Sequence, residues 1–239
     1  MTHYVDWNIL ILKVPTAEHG RPHRKFSDKL VIRAAEMGLE EEFDNLGATT
    51  FKTLRVSKEG DSAFRPLSIR PRKGDWTAIV LESGWPESPT RLRRDAHIWL
   101  EESGGDVKIV LLFSIGRTAR TMIIEKWENR PVPVNPSVPA NPPVSANPPV
   151  PANPSIPANP PAPASKPATR SMMRAGAQTP TQIQAITIDS NPNAVTGARL
   201  TLEFRKIFLR QAVPPLDHDF TFTTQDLLAF ATIFWRGVQ

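Results

Sequence analysis

From Pro131 to about Pro167 the chain repeats a six-residue unit: V-P-V-N-P-S, V-P-A-N-P-P, V-S-A-N-P-P, V-P-A-N-P-S, I-P-A-N-P-P. A segment this rich in proline lacks the backbone N–H groups that helices and sheets require. It is expected to sample polyproline II and to stay solvated. The tract therefore divides the foldable chain. Residues 1–130 carry most of the strand and helix patterning, residues 131–181 read as a disordered Pro-rich insertion, and residues 182–239 hold a further strand and helix. An isolated strand plus helix cannot bury enough surface to stand alone. The C-terminal piece is thus expected to complete the N-terminal sheet, with the insertion looping out of one domain; the alternative is a linker to a small separate module. Of 239 residues, roughly 150 to 200 remain for an ordered core, which suffices for one domain.

Apolar patterning gives the element order. Tyr4 to Val14 reads as an opening strand, Gly20 to Arg24 as a turn, and Ser27 to Met37 as a helix, with Phe26, Leu30, Ala34 and Met37 at helical spacing. Thr49 to Val56 alternates as a strand, broken by Lys58-Glu59-Gly60-Asp61, and Arg65 to Asp75 reads as a loop. Ala78 to Leu81 is a continuous apolar run of the kind buried strands show, and it ends on Glu82. Ser88 then caps a helix opening on Pro89, with Leu92, Ala96, Trp99 and Leu100 as its core stripe. Val107 to Ile115 and Thr121 to Trp127 form a hairpin. Beyond the tract, Ala198 to Leu209 alternates as a strand. Thr223 and Asp226 have capping-box spacing, with Phe222 placed to staple onto Leu227. The class this predicts is α/β, a mixed central sheet flanked by helices.

Composition removes several functions. Without cysteine there is no disulfide, thiolate metal site or thiol nucleophile, which suits an intracellular protein, nucleus and cytoplasm not being distinguishable. No apolar run approaches the roughly 18 residues of a membrane helix, so no membrane partner is expected. The N-terminus lacks the basic leader of a secretory signal. No phosphate-cradling glycine loop, G-x-S-x-G elbow or H-E-x-x-H pattern occurs among the motifs. The formal charge of +5 and a pI near 9.7 permit contact with nucleic acid. The basic patches are Arg21-Arg24-Lys25, Arg70-Arg72-Lys73 and Arg91-Arg93-Arg94, each also readable as a solvated surface.

An acid at the end of a buried strand must face water, a cation or a partner. Asp61 follows one predicted strand and Glu82 ends the next. If those strands are neighbours, two hard oxygen donors meet at one sheet edge, the kind of set Mg²⁺ takes. Such an ion polarises a phosphoryl group and generates hydroxide. Weaker candidates are Glu87 near the helix start and His97 on the helix. Each also has a plain surface or capping role, as His19 and His23 do beside the first turn. Trp85, next to Glu82, is placed to stack on a base. The N-P-P repeats offer a surface for protein partners with aromatic grooves, or a bare spacer.

Asp61, an acid ending a buried strand at Glu82, then a helix and a strand pair, resembles the restriction-endonuclease-like PD-(D/E)XK superfamily, most of all a branch of uncharacterised fungal proteins. The lines that carry the likeness are Lys58-Glu59-Gly60-Asp61, Glu82, Pro86-Glu87-Ser88, Arg91-Leu92, Asp95-Ala96, Trp99-Leu100, Val107 to Val110, Glu125-Lys126-Trp127 and Phe204 to Arg210. The resemblance implies a Mg²⁺-dependent phosphodiesterase, nuclease-like, with Asp61 and Glu82 as metal ligands, Glu41 as a weaker third ligand that also reads as a solvated acidic turn, and Lys108 or Arg94 on the scissile phosphate. Two positions depart from it. Gly60 stands where the motif has proline, and Gly84 where it has lysine. Arginine stays protonated and is a poor substitute base. A catalytically inactive interaction or nucleic-acid-binding module with the same fold is the alternative.

Overall fold

The computed structural model describes residues 1–12, 17–84, 89–132, 178–190, 193–197 and 199–238. The repeats from 133 to 177, and with them the expectation of disorder and of partners for the tract, lie outside the described residues, as do Trp85, Glu87 and Ser88. Residues 1–130 and 179–239 pack as one compact unit.

The centre is a seven-stranded mixed sheet. In chain order its strands are β3 (Phe43–Asn45), β6 (Ser62–Pro66), β7 (Ile79–Gly84), β8 (Ile109–Gly116), β9 (Thr121–Pro131), β10 (Gln178–Ser190) and β11 (Asn193–Thr196), and they lie side by side in the order β11-β10-β9-β8-β7-β6-β3. Only a crossover can make two successive strands parallel. Helix α2 (Pro89–Glu102) supplies it, joining β7 to the parallel β8, whereas β6 meets β7 and β8 meets β9 antiparallel.

Side-chain alternation sorts the sheet's two faces. Ile79 and Leu81 of β7, with Ile109, Leu111 and Phe113 of β8, face helix α1 (Ala17–Ala35) and the C-terminal helix α4 (Thr224–Arg236). There Phe26 packs on Phe113, Phe222 and Phe230 at centroid distances of 5.1, 4.9 and 5.4 Å. Val80, Val110 and Leu112 face the other way, onto Leu92, Ala96, Trp99 and Leu100 of α2. A second, four-stranded sheet of β1 (Thr2–Tyr4), β2 (Ile9–Ile11), β4 (Thr50–Lys52) and β5 (Val56–Glu59), ordered β2-β1-β5-β4, lies on that side, where Phe51 meets Trp99 edge-on at 5.7 Å.

Several expected elements are shorter or different. The single opening strand is a hairpin, because Asn8 turns the chain at φ 49°, a conformation asparagine tolerates better than most residues. Thr49 to Val56 is also two strands. The Thr53 hydroxyl accepts from the Arg55 and Val56 amides and closes the turn between β4 and β5. As a result Lys58 and Glu59 lie in β5, and the break falls at Gly60-Asp61. Gly20 to Arg24 belongs to α1 rather than to a turn. His23 is buried there, its Nδ1 2.7 Å from the Ser62 hydroxyl, not a surface residue.

Beyond the tract, β10 begins at Gln178, so residues 178–181 are strand, not disordered insertion. Leu200, Leu202 and Phe204 are all buried as their alternation suggests, yet only Leu200–Leu202 (β12) is strand. It pairs with β13 (Phe220–Phe222), and a one-turn helix, α3 (Phe204–Ile207), follows. The Thr223–Asp226 capping box is present at the start of α4.

Candidate functional site

The β6–β7 register pairs Ser62 with Leu81 and Ala63 with Val80. One step further, Asp61 lies opposite Glu82. Asp61 Oδ2 accepts the Ser83 backbone N–H at 2.8 Å, which fixes it beside the end of β7. Both acids belong to the sheet face that carries Ala63 and Val80, the face covered by α2.

Glu82 does not open onto solvent. It is 1 % exposed. Its Oε1 accepts the Trp99 indole N–H at 2.7 Å and lies 3.2 Å from the Lys58 ammonium. That ammonium is itself 2.8 Å from Asp95 of α2 and 5.7 Å from the centre of the Trp99 ring. Burial by itself works against the charged lysine. The Glu82 and Asp95 carboxylates outweigh it, by charge and by hydrogen bonds, and hold the Lys58 pKa above its ordinary value. Lys58 is therefore a fixed cation at any physiological pH.

Gly60 lets this arrangement close. A Cβ there would lie 3.2 Å from Val80 Cγ1 and 3.3 Å from Trp99 Cζ2, so the indole occupies space that any side chain, proline's ring included, would contest. A second buried acid repeats the theme along the same row of the sheet. Glu125 of β9 lies across Leu112 from Glu82, takes a forked contact from Arg93 of α2 at 2.6 to 3.1 Å, and accepts the Trp127 indole N–H at 2.9 Å. Helix α2 is thus fastened by polar bonds to the central sheet at Trp99 and Arg93 and to the second sheet at Asp95.

The two candidate cations are not brought to the acids. Lys108 precedes β8 at the far end of the parallel pair: its N–H donates to the Ala78 carbonyl, and its ammonium donates to the Gly105 carbonyl. Glu82 pairs with Leu112, four residues on, roughly 13 Å away at about 3.3 Å per residue. Burial and the neighbouring Arg70 lower the Lys108 pKa against the pull of Asp106, but that basicity is at the wrong end of the strand. Arg94 is exposed on α2, with its guanidinium 5.3 Å over the Tyr4 ring. Glu41 is exposed in a turn, and His97 rests on Glu101 at 3.3 Å. Among the described residues no group of three His, Asp or Glu side chains is placed to hold a metal ion. Sequence reasoning missed Lys58 as the partner of Glu82, and Asp95 as the second partner of Lys58. Nothing in their spacing announces the contact, since they come from a different sheet and a helix.

No family model and no curated protein matches the chain. Among solved structures, a crystal structure of a "putative nuclease belonging to DUF820" from Anabaena variabilis overlaps 52% of this chain and 70% of its own, with 14% identity and a TM-score of 0.38. At that TM-score the likeness carries no inference about this chain, and the fungal branch finds no support in these comparisons. No helix among the described residues is long and apolar enough to cross a membrane.

Proposed function

We propose that this domain is a nuclease-like scaffold that binds nucleic acid without cutting it, with Lys58 serving as the resident cation of its acidic site. The observation that carries this reading is the Lys58 ammonium bridging Glu82 and Asp95 while only 5% of its side chain is exposed. Glu82 is already neutralised and hydrogen-bonded in a dry setting. A Mg²⁺ ion, which keeps most of its waters and demands octahedral oxygen ligands, would have to enter against that fixed positive charge. Gly84 in place of the motif lysine points the same way. The test is incubation of labelled single- and double-stranded DNA and RNA with the full chain and Mg²⁺ or Mn²⁺. The expected result is no product. Metal-dependent cleavage that disappears in Asp61→Asn overturns it.

A second reading keeps the Mg²⁺-dependent phosphodiesterase, with Asp61 and Glu82 as the metal ligands. The specific support is their cross-strand adjacency on one face. It requires Glu82 to release Lys58. Calorimetric titration separates the two readings: the resident-lysine reading predicts no Mn²⁺ heat in the wild type, and the metal reading predicts binding that Glu82→Gln abolishes.

A further inference from the structure

A trough runs between the β1–β2 hairpin and the exposed side of α2. It consists of two clefts, of about 420 and 390 Å³, that share Tyr4 and Arg94. The Tyr4 ring carries the Arg94 guanidinium at 5.3 Å and packs beside Trp7 at 5.5 Å, tilted by 30°. Trp7 is 64% exposed, so a large aromatic face stands open at the trough wall. Arg55 joins Trp7 and Arg94 in the larger cleft, and Arg91 lines the smaller.

Acids and arginines share this trough: Asp6, Glu101 and Glu102 line the larger cleft with Arg55 and Arg94, and Asp95 lines the smaller with Arg91 and Arg94. Glu101 is engaged by His97 at 3.3 Å, Glu102 by the Thr53 hydroxyl at 2.9 Å, and Asp95 by Lys58 at 2.8 Å. Among the described residues neither Arg55 nor Arg94 forms an ion pair with a carboxylate. Asp6 is the remaining acid of the larger cleft. Two guanidinium groups flanking an open indole and a phenol ring match a chain of alternating phosphates and flat rings. The planar fork of arginine suits phosphate oxygens, and an aromatic face stacks any base.

We infer that this trough takes single-stranded nucleic acid, with phosphates on Arg94 and Arg55 and a base stacked on Trp7. The inference rests on the nucleic-acid-binding reading above and gives it a strand type and a surface distinct from the buried acids. A duplex keeps its bases stacked on each other and offers Trp7 nothing to pair with.

Fluorescence anisotropy of a labelled twelve-nucleotide dT strand, and of the same strand in a duplex, tests it with the full chain at low salt. Single-strand binding should be saturable and tighter than duplex binding. Trp7→Ala should weaken it roughly tenfold. Arg94→Ala should weaken it to a similar degree, and should reduce the slope of log K against log salt by about 0.7, the share of one phosphate on a single strand. Both side chains are exposed, so circular dichroism of the variants should match the wild type. Absence of binding overturns the inference, as does binding that neither substitution changes, or a duplex preference. Adding Mg²⁺ and resolving the strand on a gel keeps the two claims apart. Cleavage defeats the non-cutting reading and leaves the trough standing; a duplex preference, or binding that neither substitution changes, defeats the trough and leaves nucleic-acid binding standing; no binding to either strand defeats both.

Discussion

The two faces of the central sheet are covered by different chemistry. On the α1 and α4 side the contacts are mainly aromatic and aliphatic, centred on Phe26, Phe113, Phe222 and Phe230, with the buried Lys126 and Glu128 of β9 at the rim. On the α2 side the apolar cluster is smaller and shares its space with Glu82, Lys58 and Glu125, all buried. An apolar face is stabilised in proportion to the area it removes from water. A buried ion pair adds little net stability over a hydrophobic replacement, and removing one partner costs much more than the pair contributes. The first face explains why the sheet folds. The second keeps its buried charges directly beneath α2, where Lys58 bridges Glu82 and Asp95.

Substitutions can break this contrast. Lys58→Met leaves Glu82 and Asp95 without their cation and should cost about 3–5 kcal/mol, read from urea denaturation. Adding Glu82→Leu to Lys58→Met should recover part of that loss, because it is the uncompensated charge that is penalised; no recovery would mean that α2 is held by packing alone. Phe113→Ala on the opposite face should cost a comparable 3–5 kcal/mol, but by leaving a cavity, so its effect should be independent of pH and salt.

Acid sharpens the picture at the rim of the first face. There Lys126 and Lys206 hold Glu203 at 2.6 and 2.7 Å, against the opposing effect of burial, and bring its pKa down to about 2. A lowered carboxylate pKa stabilises the fold above its unfolded value of 4.5. That contribution should fade as pH falls from about 4.5 towards 2, and Glu203→Gln should flatten the stability profile in that window. Lys58 behaves in the opposite sense: its raised pKa contributes below the ordinary 10.5 and is lost only in stronger alkali. The smallest effect belongs to Thr223→Ala, which removes the cap accepting the Asp226 N–H at 3.2 Å and should cost about 1 kcal/mol.

How much of this the sequence discloses depends on the range of the interaction. The strand ending at Glu82, the stripe of Leu92, Ala96, Trp99 and Leu100, and the Thr223 capping box are local patterns, and each is legible in the order of residues. Asp61 facing Glu82 depends on two strands being neighbours, which their succession in the chain favours. Lys58 against Asp95 depends on how a second sheet lies on α2, and no periodicity encodes that. Strand β10 escapes notice because Pro180 and the polar Gln178 to Gln182 continue the look of the tract, although Ile186 and Ile188 already alternate. Phe204 to Leu209 reads as strand because its apolar residues are regular, yet the chain turns there, with Leu209 at φ 56°.

The repeat-bearing segment leaves the sheet from β9 and re-enters through β10, the strand beside it. Closing a longer loop between neighbouring strands costs only about 0.6 kcal/mol for each doubling of its length. Copies of the hexad can therefore be gained or lost at little cost to the side-by-side placement of β9 and β10.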